Sequence, residues 1–127
     1  MDVVRRLLVG VLLLLLAGCG GGSDVPPPPG PPASELRIGM IEYRFQLSAG
    51  TLRPGVVTVV ATDAGSSQHD VVLSQDGKVV GRSRVLNPGE QQSFRVRVVA
   101  GQPVHLECTL PGHDAAGMHA TVQVARG

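Results

Sequence analysis

The chain has 127 residues, 43 % of them hydrophobic but only 2 % aromatic, with a formal net charge of +1. That length allows one compact core once an unusual N-terminus is set aside. From Cys19 onward, leaving out Asp2, Arg5 and Arg6, nine Lys/Arg and nine Asp/Glu remain, a balance that argues against nucleic acid or any strongly steered partner.

Arg5 and Arg6 precede an apolar run from Leu7 to Leu16, and small residues follow before Cys19, the layout of a secretory signal over residues 1–18. The run is about half of the roughly 20 apolar residues a spanning helix needs. Leu16-Ala17-Gly18-Cys19 resembles the lipobox of bacterial lipoproteins, which implies a lipidated Cys19 and an extracytoplasmic, membrane-anchored protein on the periplasmic or cell-surface side. An ordinary cleaved signal with an incidental Cys is the alternative. With Cys19 acylated, Cys108 is the one free thiol and no internal disulfide can form, so its partner is expected to be something other than sulfur. Residues 19–33, rich in Gly and then Pro, read as a tether. Extended at about 3.1 Å per residue, it would reach on the order of 40 Å.

Residues 34–127 lack a helical period and read as a single β domain. Leu36, Ile38 and Met40 alternate with Arg37 and Gly39, "GVVTVVA" follows Pro54-Gly55, and "HDVVLS" leads through Asp76-Gly77 to "KVVG". After Asn87-Pro88-Gly89, Phe94, Val96 and Val98 face one way and Ser93, Arg95 and Arg97 the other. "PVHLECT" and "MHATVQVA" supply the last strands. About seven to eight short strands predict an antiparallel β-sandwich, its core made of Val, Leu, Ile and Ala.

The stretch "CTLPGHDAAGMHA" carries Cys108, His113 and Met118 in a C-x₄-H-x₄-M spacing, and "SSQHDVVL" offers His69 at a strand start. Thiolate and thioether are soft ligands and imidazole is borderline, so the set favours copper over Mg²⁺ or Ca²⁺; His₂Cys with a weak axial Met is an electron-transfer copper site. Taken singly, each ligand has a plainer role. Cys108 would be a small buried hydrophobe, Met118 core filler, His69 a polar residue at a strand start and His113 a loop residue. Strand parity sets His105 and His119 on the solvent face, with His119 the rival axial ligand should Met118 be disordered.

From about Glu35 onward the sequence resembles the cupredoxins, the small blue copper proteins. Cys108-Thr109-Leu110-Pro111-Gly112-His113 is similar to the copper loop of azurin and auracyanin, and the spacing to Met118 is closer to that of rusticyanin and sulfocyanin. The resemblance implies a Greek-key β-sandwich holding one type 1 copper ion on His69, Cys108, His113 and Met118. It also implies that Asp70, which stands where the family often has Asn, keeps a backbone N–H near the Cys108 sulfur while its carboxylate accepts from Thr109. Leu110, where a Pro would have no N–H, leaves a second donor for sulfur, and two such donors raise the potential relative to one.

The implied function is one-electron transfer between Cu(II) and Cu(I) by a monomer, with redox partner proteins docking briefly on the small apolar surface around His113 and the membrane engaged through the lipid anchor. Asp114 is the only charge in that loop, so docking should depend little on salt. The alternative is an extracytoplasmic copper carrier or chaperone that delivers the ion to an oxidase. Three Met, one of them the initiator, and no Met- or His-rich tract speak against it. An enzyme would need further His clusters for a second copper centre, and a metal-free sandwich would leave the four ligands without a purpose.

Overall fold

The computed structural model describes residues 26–127. The signal peptide expected over residues 1–18, the lipidation expected at Cys19 and the start of the expected tether lie outside the described residues.

Nine strands form among the described residues: β1 (Glu35–Ile41), β2 (Arg44–Leu47), β3 (Thr51–Leu52), β4 (Gly55–Asp63), β5 (Val72–Gln75), β6 (Lys78–Arg82), β7 (Gln91–Val98), β8 (Val104–Glu107) and β9 (His119–Val124). They make two sheets, β2-β1-β4-β7 and β3-β9-β8-β5-β6, packed face to face. Two features differ from the sequence expectation. The short strands β2 and β3 bring the number to nine, and the sheets are mixed, because β1 runs parallel to β4 and β3 parallel to β9. Alternation specifies which face a strand buries, whereas direction is set by where the chain re-enters the sheet. Among the described residues no helix is long and apolar enough to cross a membrane.

The alternating pattern becomes the core directly. Leu36, Ile38 and Met40 of β1, Val57, Val59 and Ala61 of β4, and Val96 and Val98 of β7 turn inward from one sheet. Leu73, Val104, Leu106, Val122 and Val124 meet them from the other. Of the Phe and Tyr side chains among the described residues only Phe45 is buried, so aliphatic packing dominates. Asp76 and Gly77, both at positive φ, close the β5–β6 hairpin between Gln75 and Lys78, the conformation a two-residue turn needs to match strand twist. Buried Gln75 accepts from the Val99 N–H and donates to the carbonyls of Val99 and Gln102, which ties the β7–β8 connection to β5.

Ala33, Pro26 and Pro27, in the span read from sequence as a tether, lie on the sandwich. Ala33 bridges Leu52 in parallel and exchanges backbone hydrogen bonds with Thr51 and Arg53. Pro26 and Pro27 line a shallow pocket of about 210 Å³ together with Phe45, Leu47 and His119.

Candidate metal centre

The four sequence-predicted ligands all sit in connections between strands, His69 in the β4–β5 connection and Cys108, His113 and Met118 in the β8–β9 connection. His69 stands between β4 and β5, and its backbone pairs in both directions with Leu86 (N–H to carbonyl distances 3.1 and 2.8 Å). The parallel register of β1 on β4, ending at Met40 opposite Asp63, draws the β1–β2 turn against the 64–69 loop. The Ala64 N–H donates to the Met40 carbonyl and the Gly65 N–H to Asp63 Oδ1. His69 is thereby fully buried at the sheet rim.

Cys108 follows β8, His113 lies in the connecting loop and Met118 precedes β9. The loop is wound by its own backbone. The His113 N–H donates to the Leu110 carbonyl, and the His113 carbonyl accepts from both Ala116 and Met118. Gly112 and Gly117 take the positive φ angles of 81° and 110° that such tight winding requires. Across the base, the Cys108 N–H donates to the Met118 carbonyl at 3.1 Å, which sets the two sulfur-bearing residues side by side. Both are buried, and His113 is partly exposed.

His69 Nδ1 and His113 Nδ1 are 3.2 Å apart, and His113 Nδ1 is 3.5 Å from Cys108 Sγ. The three donor atoms all lie within 4.8 Å of one another. Lone-pair donors held this close suit a single ion between them at ordinary metal–ligand distances of about 2.0–2.3 Å, and a thiolate with two imidazoles is a copper-favouring set. Met118 is fully buried, and its carbonyl accepts the Cys108 N–H.

Burial pushes the Cys108 thiol up and the Asp70 carboxylate adds to that, while hydrogen bonds from the backbone N–H groups of Asp70 and Leu110 favour the thiolate. Buried Asp70 accepts the Thr109 N–H on Oδ1 at 2.6 Å and the Thr109 hydroxyl on Oδ2, so its carboxylate braces the first residue of the loop. His105 and His119 are both exposed, their ring centroids 6.4 Å apart on neighbouring strands.

Two residues of the site were not singled out from sequence, and both come from the β1–β2 turn. Glu42 Oε1 lies 3.1 Å from His69 Nε2, and the same oxygen accepts from the Ser66 N–H, the Ser67 N–H and the Ser67 hydroxyl, each at 2.8 Å. The Ser67 hydroxyl and backbone N–H, with the Ser66 N–H, hold the Glu42 carboxyl well below the usual carboxylate range. Tyr43 sets its ring edge-on to His113, centroids 5.0 Å apart, and is 46 % exposed. One turn thus touches both imidazoles. The only sequence signal was position, a carboxylate and an aromatic immediately after an amphipathic strand.

No protein-family model and no curated protein matches the sequence. Solved structures do. The chain is similar to reduced auracyanin from Roseiflexus castenholzii, with a TM-score of 0.68 and 18 % identity over 75 % of this chain and 99 % of that one. It is similar to an azurin from Methylomonas sp. strain J, with a TM-score of 0.62 and 15 % identity over 72 % and 98 %. Auracyanin A from Chloroflexus aurantiacus, described as a blue copper protein, matches with a TM-score of 0.56 and 16 % identity over 74 % and 99 %. A multicopper oxidase also matches, with a TM-score of 0.55 and 14 % identity, but there the chain covers only 41 % of the larger protein. The chain therefore has the cupredoxin fold, and His69, Cys108, His113 and Met118 are consistent with a single type 1 copper ion.

Proposed function

We propose that the protein is a membrane-tethered type 1 copper carrier of single electrons, acting on the extracytoplasmic side between redox partners that dock around His113. The observation that carries this reading is the convergence of His69 Nδ1, Cys108 Sγ and His113 Nδ1 at the rim of a rigid sandwich, with Met118 buried next to them. Copper held there would supply a one-electron Cu(II)/Cu(I) couple. The chain's own part is to keep the donors in place in both oxidation states, to exclude water from Cys108 and Met118, and to present one ligand edge to a partner.

His113 is that edge, since it is the partly exposed member of the set. Pro111, Gly112, Ala115 and Ala116 are exposed around it and uncharged, with exposed Tyr43 alongside. A surface this small, with exposed Asp114 the one charge of the loop, suits a brief encounter, in keeping with the small interfaces of redox pairs. Anchoring through Cys19 and a tether over residues 19–33 would keep the carrier near membrane-bound partners.

Voltammetry on the copper-loaded full-length protein tests the role. A fast, reversible one-electron wave, with copper retained against a chelator, supports electron transfer. A sluggish wave and rapid loss of metal to the chelator would make the protein a copper carrier instead.

A further inference from the structure

We propose that Glu42 is the positioning residue of the metal centre: its carboxylate fixes His69 with Nε2 protonated and Nδ1 free, and it backs that ligand with negative charge that favours Cu(II) over Cu(I).

The inference rests on the copper reading above but has its own structural basis. Glu42 Oε1 faces three other donors, the Ser66 N–H, the Ser67 N–H and the Ser67 hydroxyl, so it is committed to accepting. His69 Nε2, at 3.1 Å from the same oxygen, must then carry the ring proton. The lone pair is left on Nδ1, the atom that looks toward His113 and Cys108. His69 is fully buried and its backbone is pinned to Leu86, so the ring has no second arrangement that keeps this bond.

Gly65 shows how closely the contact is packed. A Cβ there would lie 2.6 and 2.9 Å from the two Glu42 carboxylate oxygens and 2.9 Å from His69 Nε2. Any larger residue would wedge the pair apart, so the Gly-Ser-Ser turn serves the Glu42–His69 contact as a unit: a gap at Gly65 and donors from Ser66 and Ser67. A carboxylate hydrogen-bonded to a ligating imidazole makes the ring a stronger donor. That effect opposes the two N–H groups aimed at the Cys108 sulfur, which withdraw charge from the thiolate. No proton moves in the redox step; the carboxylate acts only on the relative stability of the two copper states.

Three variants of the full-length protein separate positioning from charge. Glu42→Gln keeps an acceptor oxygen and removes the charge, Glu42→Ala removes both, and Gly65→Ala leaves the carboxylate present but displaced. In the copper-free protein, long-range ¹⁵N–¹H NMR should show His69 as the Nε2–H tautomer in the wild type and in Glu42→Gln, and a tautomer mixture in Glu42→Ala and Gly65→Ala. With copper, Cu(II) affinity should fall about 10- to 100-fold in Glu42→Ala. Each tenfold by which Cu(II) is weakened more than Cu(I) raises the potential by about 59 mV, and Glu42→Gln should show a rise as well. A wild-type His69 in the Nδ1–H tautomer overturns the proposal, as does a potential unchanged in both Glu42→Gln and Gly65→Ala. Failure of the wild type to bind copper with a blue band would overturn the function proposed above, while the copper-free tautomer would still report on Glu42.

Discussion

His69 reaches the site from inside the sandwich, fully buried, with its backbone paired to Leu86 and its ring held by Glu42. Cys108, His113 and Met118 come instead on one loop whose middle, from Pro111 to Ala116, is exposed apart from His113. The upstream half takes its order from two sheets, while the loop takes its order from short-range backbone hydrogen bonds and the Asp70 brace. On the proposed function, rigidity and access are divided: one half would fix where an ion sits, and the other would bring it toward the surface without exposing Cys108.

The largest expected effect is on the buried half. Leu86→Ala removes a fully buried side chain from the segment paired with His69 and should destabilise the protein by about 2–5 kcal/mol in urea unfolding. Pro111→Ala, on the exposed loop, should change stability by no more than about 0.5 kcal/mol. Equal losses would erase the distinction between the halves.

Next is the link between them. Asp70→Ala strands the Thr109 N–H and hydroxyl and should cost about 1.5–3 kcal/mol, the range for hydrogen bonds to a charged group. Asp70→Asn, which can still accept the N–H and donate to the hydroxyl, should recover most of it. A loss in Asn equal to that in Ala would show that charge, rather than the brace, is what matters.

Leu110→Pro sharpens the account of the loop. It deletes one of the two N–H groups directed at sulfur, so the reduction potential should fall with little change in stability. An unchanged potential would mean that the Asp70 N–H alone sets the sulfur's environment.

The smallest effect concerns acid. Glu90, which accepts the Asn87 N–H and pairs with Arg84, has its carboxyl lowered from 4.5 to about 2. A carboxylate lowered on folding contributes stability that is fully present above pH 4.5 and is lost as pH falls toward 2. Glu90→Gln should therefore flatten the stability curve slightly between those limits, a change seen in acid titration of the folded fraction. A curve that keeps its slope in the variant would remove Glu90 from the acid response.

Much of this was legible in the sequence because period-2 alternation reports burial directly. Leu36, Ile38 and Met40, or Phe94, Val96 and Val98, declare their face without any knowledge of their neighbours. The loop was legible for a similar reason: Cys108, His113 and Met118 lie close in sequence, so their spacing alone shows that they can converge. Glu42 and Tyr43 were not. They meet His69 and His113 only because β1 lies parallel beside β4, and no local pattern encodes the direction of a strand relative to a distant one. The residues that brace the centre from outside the loop were therefore hidden in proportion to their distance along the chain. Asp70 was found because it is adjacent to a ligand; Glu42, whose carboxylate lies 3.1 Å from His69 Nε2, is separated from it along the chain by β2, β3 and all of β4.

The measurement that bears most directly on the account is the visible absorption and EPR spectrum of the full-length protein titrated with Cu(II), beside that of Cys108→Ala. An intense blue thiolate-to-copper band that saturates at one equivalent and is missing in Cys108→Ala is the predicted result. A weak, colourless or multi-equivalent response, or a band that survives in Cys108→Ala, would contradict the claim that His69, Cys108 and His113 bind one copper ion together.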